Sequence, residues 1–246
     1  MLGKLVIPFF FLFSAASSLA SMTISGTRII FPGNEKEVTI RTNNKGSKPA
    51  LVQVWVDDGD INADLNETDV PFITTPPVFR VEPGKGQSVR LIYNGSELPQ
   101  DRESIFWFNL LEVPPLYKDT ANVDRLELAF RTRIKIFYRP KTLTSSSAGQ
   151  MEKIQWQVLP GNKGVSVINN TPYYLSFDRA ALQNGGGSGE LDTAMVAPFG
   201  SASFLLKKGA MAGVTGATIR LINDYGAAIE KKLILSADNK LLLQNN

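Results

Sequence analysis

Alternation of apolar and polar side chains constrains this chain more than any other feature. The stretch LELAFRTRIKIFYRP, from Leu126 to Pro140, shows it best. Drawn as a strand, it places Leu126, Leu128, Phe130, Thr132, Ile134 and Ile136 on one face. Glu127, Arg131, Arg133, Lys135 and Arg139 share the other with Ala129 and Phe137. Successive side chains leave a strand on opposite sides, so a period of two predicts a half-buried strand with a wet face. The pattern leaves open whether the apolar face serves this chain's own core or is built to hold something else.

Short runs of the same kind precede and follow it. MTISGTRIIF, EKEVTIRT, ALVQVWVDD, FRVEPGKGQSVRLIY and SIFWFNLLEV come before, and KIQWQVL, GVSVINN, YYLSFDRAAL, SASFLLKK, GATIRLIND and EKKLILSA come after. Gly, Pro, Asn and Asp cluster between them, and no long helical period competes. Strands at this spacing predict an all-β sandwich. VEPGKGQS reads as a hairpin, with Pro83 and Gly84 suited to its turn. After Arg139 and Pro140, KTLTSSSAG is small and polar, as a linker or a domain's leading loop would be. Residues 21–140 and 141–246 each approach the size of an immunoglobulin-like domain, about 100 residues. Two all-β domains in tandem are expected.

Two absences narrow the chemistry: the 246 residues include no His and no Cys. That excludes Ser-His-Asp and Cys-His nucleophilic sites, His or Cys metal centres and any disulfide framework. An enzyme here would have to run on carboxylates, Lys, Tyr or a cofactor. The net charge is +3, and Lys and Arg are spread along the chain, which gives no nucleic-acid surface. Residues 1–20 read as a cleavable export signal. Lys4 supplies the positive start, LVIPFFFLFSAA the apolar run, and SLA ending at Ala20 the small-residue cleavage site. The run is short and interrupted for a membrane span. A mature chain starting near Ser21, in a periplasm or outside the cell, is expected.

Three conspicuous stretches carry less than they promise. Counted from Asp58, DDGDINADLNETD puts Asp60 and Asn62 at the third and fifth places of a calcium loop. Ala63 then stands where the turn Gly belongs and Asp69 where the bidentate Glu belongs, so a solvated acidic loop is expected. NGGGSGE, from Asn184, lacks the Lys-Ser/Thr of a phosphate loop and reads as a hairpin loop. Phe106, Trp107 and Phe108 lie on a strand, where aromatics more often fill the space between sheets than stack on a ligand. No acid pair is marked for glycoside chemistry, whose carboxylate separation is a three-dimensional property.

TRIIFPG, TPPVFRVEPGKGQSVRL, LPQDRESIFWFNLLEVPP, RTRIKIFYRP, TPYYLSF and INDYG occur in that order and cover almost the whole chain after the signal. As an ordered set they resemble the PapD-like periplasmic pilus chaperones of the chaperone–usher pathway. The resemblance implies two immunoglobulin-like β-sandwich domains set at an angle, with a cleft between them. It implies that Arg28 on the first strand and Lys135 on the last strand of the first domain bind the C-terminal carboxylate of a pilus subunit. That last strand then completes the subunit by strand addition, Leu126, Leu128 and Phe130 filling its open groove. Glu103, Arg139 and Asp224 match a charged cluster that joins the two domains.

The implied partners are pilus or fimbrial subunits and an outer-membrane usher, with self-association of the free chaperone also expected. No cofactor, metal, nucleic acid or small-molecule substrate is implied, and the activity expected is non-enzymatic. The ten residues LYKDTANVDR, between VPP and Leu126, resemble the short-loop subclass that serves rod-forming pili. Some members carry a disulfide in the second domain; this chain does not. Two other readings stand beside this one. A pilus subunit or adhesin would carry an N-terminal donor segment and lack its own final strand, whereas MTISGTRIIF follows the signal almost directly. A carboxylate-based hydrolase would need a deep pocket with two convergent acids.

Overall fold

The computed structural model describes residues 21–61, 69–113 and 128–244. The expected export signal, the LYKDTANVDR loop, Leu126 and residues 62–68 of the acidic stretch lie outside the described residues.

The period-two runs form strands that close two sandwiches. The first contains β1 (Met22–Ile24), β2 (Arg28–Pro32), β3 (Glu37–Asn44), β4 (Ala50–Asp57), β5 (Phe72–Thr75), β6 (Val78–Val81), β7 (Gly86–Tyr93), β8 (Ser104–Val113) and β9 (Phe130–Arg139). One sheet has the order β1-β3-β7-β5 and the other β2-β9-β8-β4-β6. Inward residues of both sheets, among them Phe31, Val52, Val89, Leu91, Phe108, Leu110 and Ile136, make one apolar core.

The second sandwich contains β10 (Ile154–Val158), β11 (Gly164–Asn169), β12 (Phe177–Asn184), β13 (Gly187–Leu191), β14 (Ser201–Leu205), β15 (Val214–Ile222), β16 (Ala228–Leu235) and β17 (Leu241–Leu243). Its sheets have the orders β10-β11-β14 and β13-β12-β15-β16-β17. A separate core is built around Trp156, Val167, Leu175, Leu182, Phe204, Ile219 and Leu221.

Several local expectations change in detail. MTISGTRIIF is two strands in different sheets, split where Gly26 takes a φ of 96°. VEPGKGQS makes the expected turn, with the Lys85 N–H donating to Glu82 O at 3.0 Å and Gly84 at a φ of 70°. It is not a hairpin, because β6 pairs with β4 while β7 pairs with β3 and β5. The turn carries the chain from one sheet to the other. NGGGSGE is the β12–β13 hairpin, with Asn184 opposite Gly187. Phe106 and Phe108 are buried between the sheets, while Trp107 faces outward beneath the Arg133 guanidinium, 4.7 Å from its ring centroid.

Asp57 departs furthest from a solvated acidic loop. It is buried and accepts hydrogen bonds from Asn109 at 2.7 Å, from Arg133 Nε at 3.2 Å and from the Gly59 N–H at 2.9 Å. Arg131 also reaches it, at 3.4 Å, and lies over the Trp55 ring. Burial works against the Asp57 charge, but these donors hold its carboxyl below the ordinary 3.8. Asp58 and Asp60 are solvent-facing. The wet face of β9 is thus tied down by a buried anion on β4, which a linear pattern does not reveal.

Candidate functional site

β2 and β9 pair in parallel, with Arg28 opposite Lys135, Phe31 opposite Tyr138 and Pro32 opposite Arg139. This register makes two cations direct neighbours across a strand pair, an arrangement that costs stability unless an anion offsets it. Neither has a carboxylate within 4 Å among the described residues. Arg28 Nη1 donates to Ile222 O of the second sandwich at 3.2 Å, and its guanidinium lies 5.6 Å from the centroid of Phe137. Its Nε is buried with no acceptor. Burial lowers the pKa of Arg28, opposed by the more distant Asp224 and Glu103. Burial also pushes Lys135 below its ordinary 10.5, and the neighbouring Arg28 pushes it further. An unfilled donor and two desolvated cations make a site whose electrostatics call for an anion.

β9 changes character along its length. Its C-terminal half has β8 on one side and β2 on the other, whereas Phe130 to Ile134 have β8 alone among the described residues. The side chains change in step. Tyr138 and Ile136 are buried in the first core and Ile134 packs at its margin. Thr132, on the same face, is exposed, Phe130 is half-buried, and Leu128 just ahead of the strand is 45% exposed. One apolar face therefore begins inside the sandwich and runs out past it. Leu128 and Phe130 are brought to that open end.

Glu103, Arg139 and Asp224 converge where the sandwiches meet. Arg139 Nε donates to Glu103 Oε1 at 2.9 Å, while Nη1 and Nη2 grip Asp224 at 2.7 and 3.0 Å. The Glu103 side chain is only 2% exposed and that of Arg139 13%. The other Glu103 oxygen accepts the Tyr174 N–H at 2.8 Å, and the Glu103 N–H donates to Pro172 O at 2.9 Å. Tyr173 stacks beneath Arg139 at 5.1 Å, and its hydroxyl accepts the Ser145 N–H at 3.1 Å. KTLTSSSAG is therefore partly bound into the joint rather than free. Burial pushes the Glu103 carboxyl up against the pull of Arg139, and hydrogen bonds to Asp224 and Glu103 hold Arg139 above its ordinary value despite its own burial.

Sequence reasoning assigned no role to Phe137, Tyr173, Tyr174 or Ile222. Phe137 sits on the charged side of β9 and is 2% exposed, which is anomalous for an outward position. It is covered by Arg28 and by Tyr174, whose ring lies 5.8 Å away. An aromatic interrupting the charged face, and the adjacent pair in TPYYLSF, were the available signals.

Among the described residues, β9 thus combines an unpaired edge at Phe130 to Ile134, an apolar face that continues beyond its own core and, at its far end, a cation pair with no carboxylate partner. The family description "Pili and flagellar-assembly chaperone, PapD N-terminal domain" matches residues 21–144, and "Pili assembly chaperone PapD, C-terminal domain" matches residues 149–233. The chain belongs to the PapD family of pilus-assembly chaperones.

Among its relatives, the probable fimbrial chaperone YadV of Escherichia coli K12 is 44% identical over 88% of this chain and 90% of its own. The chaperone protein HifB of Haemophilus influenzae is 42% identical over 92% of each. The crystal structure of the YadV chaperone matches with a TM-score of 0.76 at 40% identity, covering 88% of this chain and 100% of the other. The structure of Salmonella enterica SafA pilin in complex with the SafB chaperone matches with a TM-score of 0.74 at 26% identity, over 89% and 99%. The architecture is the two-domain immunoglobulin-like one of these chaperones, with a cleft between angled sandwiches.

Proposed function

We propose that this protein captures pilus subunits in the periplasm by adding β9 to their incomplete sandwich, and hands them to an outer-membrane usher. The observation that carries the reading is that the edge of β9 left open among the described residues, Phe130 to Ile134, ends at the Arg28–Lys135 cations, which have no carboxylate partner among those residues. An extended segment laid on that edge with its terminal carboxylate at the cations has its C-terminus level with Lys135. Because β9 runs from Phe130 towards Lys135, such a segment must lie parallel to it. Leu128 and Phe130, with Leu126 ahead of them, are the groove-filling side chains. Each contributes about 1.5–3 kcal/mol when fully buried, before ordering costs. Glu103, Arg139 and Asp224 set the joint between domains spanning 21–140 and 141–246. A related chaperone was solved with its pilin, which supports a subunit as the occupant. Chaperone domains matching along both halves favour this reading over a pilus subunit.

The pH dependence of binding tests the anchor. A carboxylate stabilises the protonated lysine, so binding raises a pKa that burial and Arg28 hold below 10.5 in the free protein. The affinity is full while free Lys135 is protonated and falls as pH rises through its lowered value. Titrating a peptide of a subunit's C-terminal strand from neutral pH up towards 10.5 should show that fall, with up to one proton taken up per complex. Lys135→Arg should flatten the profile, because Arg stays charged throughout. A peptide amide that binds as tightly as the free acid would remove the anchor from the proposal.

A further inference from the structure

β8 alternates Phe106, Phe108 and Leu110 into the first core, all buried. The next inward position is Glu112. A carboxylate at the end of an apolar row needs a cation or several donors nearby. No Lys or Arg lies within 4 Å of Glu112 among the described residues. Its partners are all on the first two described residues: Oε2 accepts the Ser21 N–H at 3.2 Å and the Met22 N–H at 3.0 Å, and Oε1 accepts the Ser21 hydroxyl. Ser21 O in turn accepts the Lys45 N–H at 2.7 Å, so every polar group of Ser21 is engaged. Packing is close as well, because a Cβ on Gly46 would collide with that of Ser21. Just beyond, Met22 is 4% exposed in the core and opposite Asn44 of β3.

Ser21 is also the residue at which the sequence places the start of the exported chain. We infer that Glu112 is the receptor for the α-ammonium group exposed on Ser21 when residues 1–20 are removed. The inference rests on the periplasmic role under Proposed function and on the reading of residues 1–20 as a cleavable export signal, and adds an assigned site to them. Before cleavage the Ser21 nitrogen is an amide with one N–H; afterwards it is a cation with three. Cleavage thus supplies a charge that no described residue gives Glu112, and it pins β1, which enters the sheet opposite the one holding β9. Glu112 pairs directly with Phe130, the first residue of β9, so the same event steadies the start of the presented strand. The site's ligand is an α-amine on a small hydroxylated residue, held by charge and by the serine hydroxyl together.

A thermodynamic cycle on the exported, full-length mature protein tests this. Four proteins are compared: the natural N-terminus and one carrying an extra Gly before Ser21, each with Glu112 or Glu112→Gln. Intact mass first establishes where each chain begins. With the amine on Ser21, Glu112→Gln is expected to lower the thermal midpoint by about 3–6 °C, near the shift that 1–2 kcal/mol gives a protein of this size. With the amine moved one residue upstream, the same substitution should lower it by well under half as much. Equal losses in both backgrounds overturn the inference, since Glu112 would then serve the amide and hydroxyl alone. A mature chain that begins elsewhere than Ser21 overturns the processing site, and the inference with it.

Discussion

Replacing Arg28 or Lys135 with Met is expected to abolish recovery of chaperone–subunit complexes while leaving the chaperone as stable as before, or more so. Each cation offers a carboxylate at least one charge-assisted hydrogen bond, worth about 1.5–3 kcal/mol. Losing one cation should therefore weaken capture by roughly 10- to 150-fold, and losing both by roughly 10²- to 10⁴-fold. The free protein responds in the opposite sense. Its half-buried Lys135 has a lowered pKa, so its charge costs stability at every pH below that value. Lys135→Met relieves this cost and its repulsion with Arg28. Pull-down of subunits from periplasmic extracts, set beside denaturation midpoints of the purified variants, reads both effects. A variant that loses stability and binding together would point to a structural role for the cations instead.

The second large effect is expected at the joint. Arg139→Met leaves Glu103 buried without its cation and Asp224 without either of its two bonds. Removing one partner of a buried charge pair typically costs about 3–5 kcal/mol. Burial already raises the Glu103 carboxyl, and without Arg139 it is opposed only by the Tyr174 N–H. A carboxyl whose folded pKa lies above its unfolded value favours the fold while protonated. That contribution is present below the unfolded pKa and is lost as pH rises through the folded value. The deficit of Arg139→Met should therefore be smallest in mild acid and grow towards neutrality, as urea unfolding at several pH values would reveal. Glu103→Gln in the same background should recover part of the loss. Because the cluster bridges both sandwiches, the variant should also hold Arg28 less firmly against Ile222 O and capture subunits less well.

The sheets were legible because burial follows the alternation: SIFWFNLLEV is β8 from end to end, and RTRIKIFYRP supplies most of β9. Boundaries failed where the chain changes sheets without changing its pattern. Gly26 and the Pro83-Gly84 turn separate strands that a period of two reads as one run or one hairpin. Short β5, glycine-rich β13 and three-residue β17 gave too few alternations to register. The residues of the cation pair and the charged cluster came from motif resemblance, whereas their partners depended on proximity no local pattern encodes. Asp57 is the sharpest case: it looks like part of an acidic loop and is a buried anion between two arginines. Glu112 was hidden for the same reason, being one acid at the end of an ordinary strand.

The most direct measurement is amide hydrogen exchange along β9 in free and subunit-bound chaperone. In the free protein, amides between Phe130 and Ile134 that point away from β8 have no strand to bond to among the described residues, while those from Lys135 onward already lie beside β2. Subunit binding should protect the outward-pointing amides of Phe130–Ile134 strongly, change those of Ile136–Arg139 little, and lose its protecting effect in Arg28→Met/Lys135→Met. A stable complex in which the Phe130–Ile134 amides exchange as fast as in the free protein would contradict strand addition at this edge.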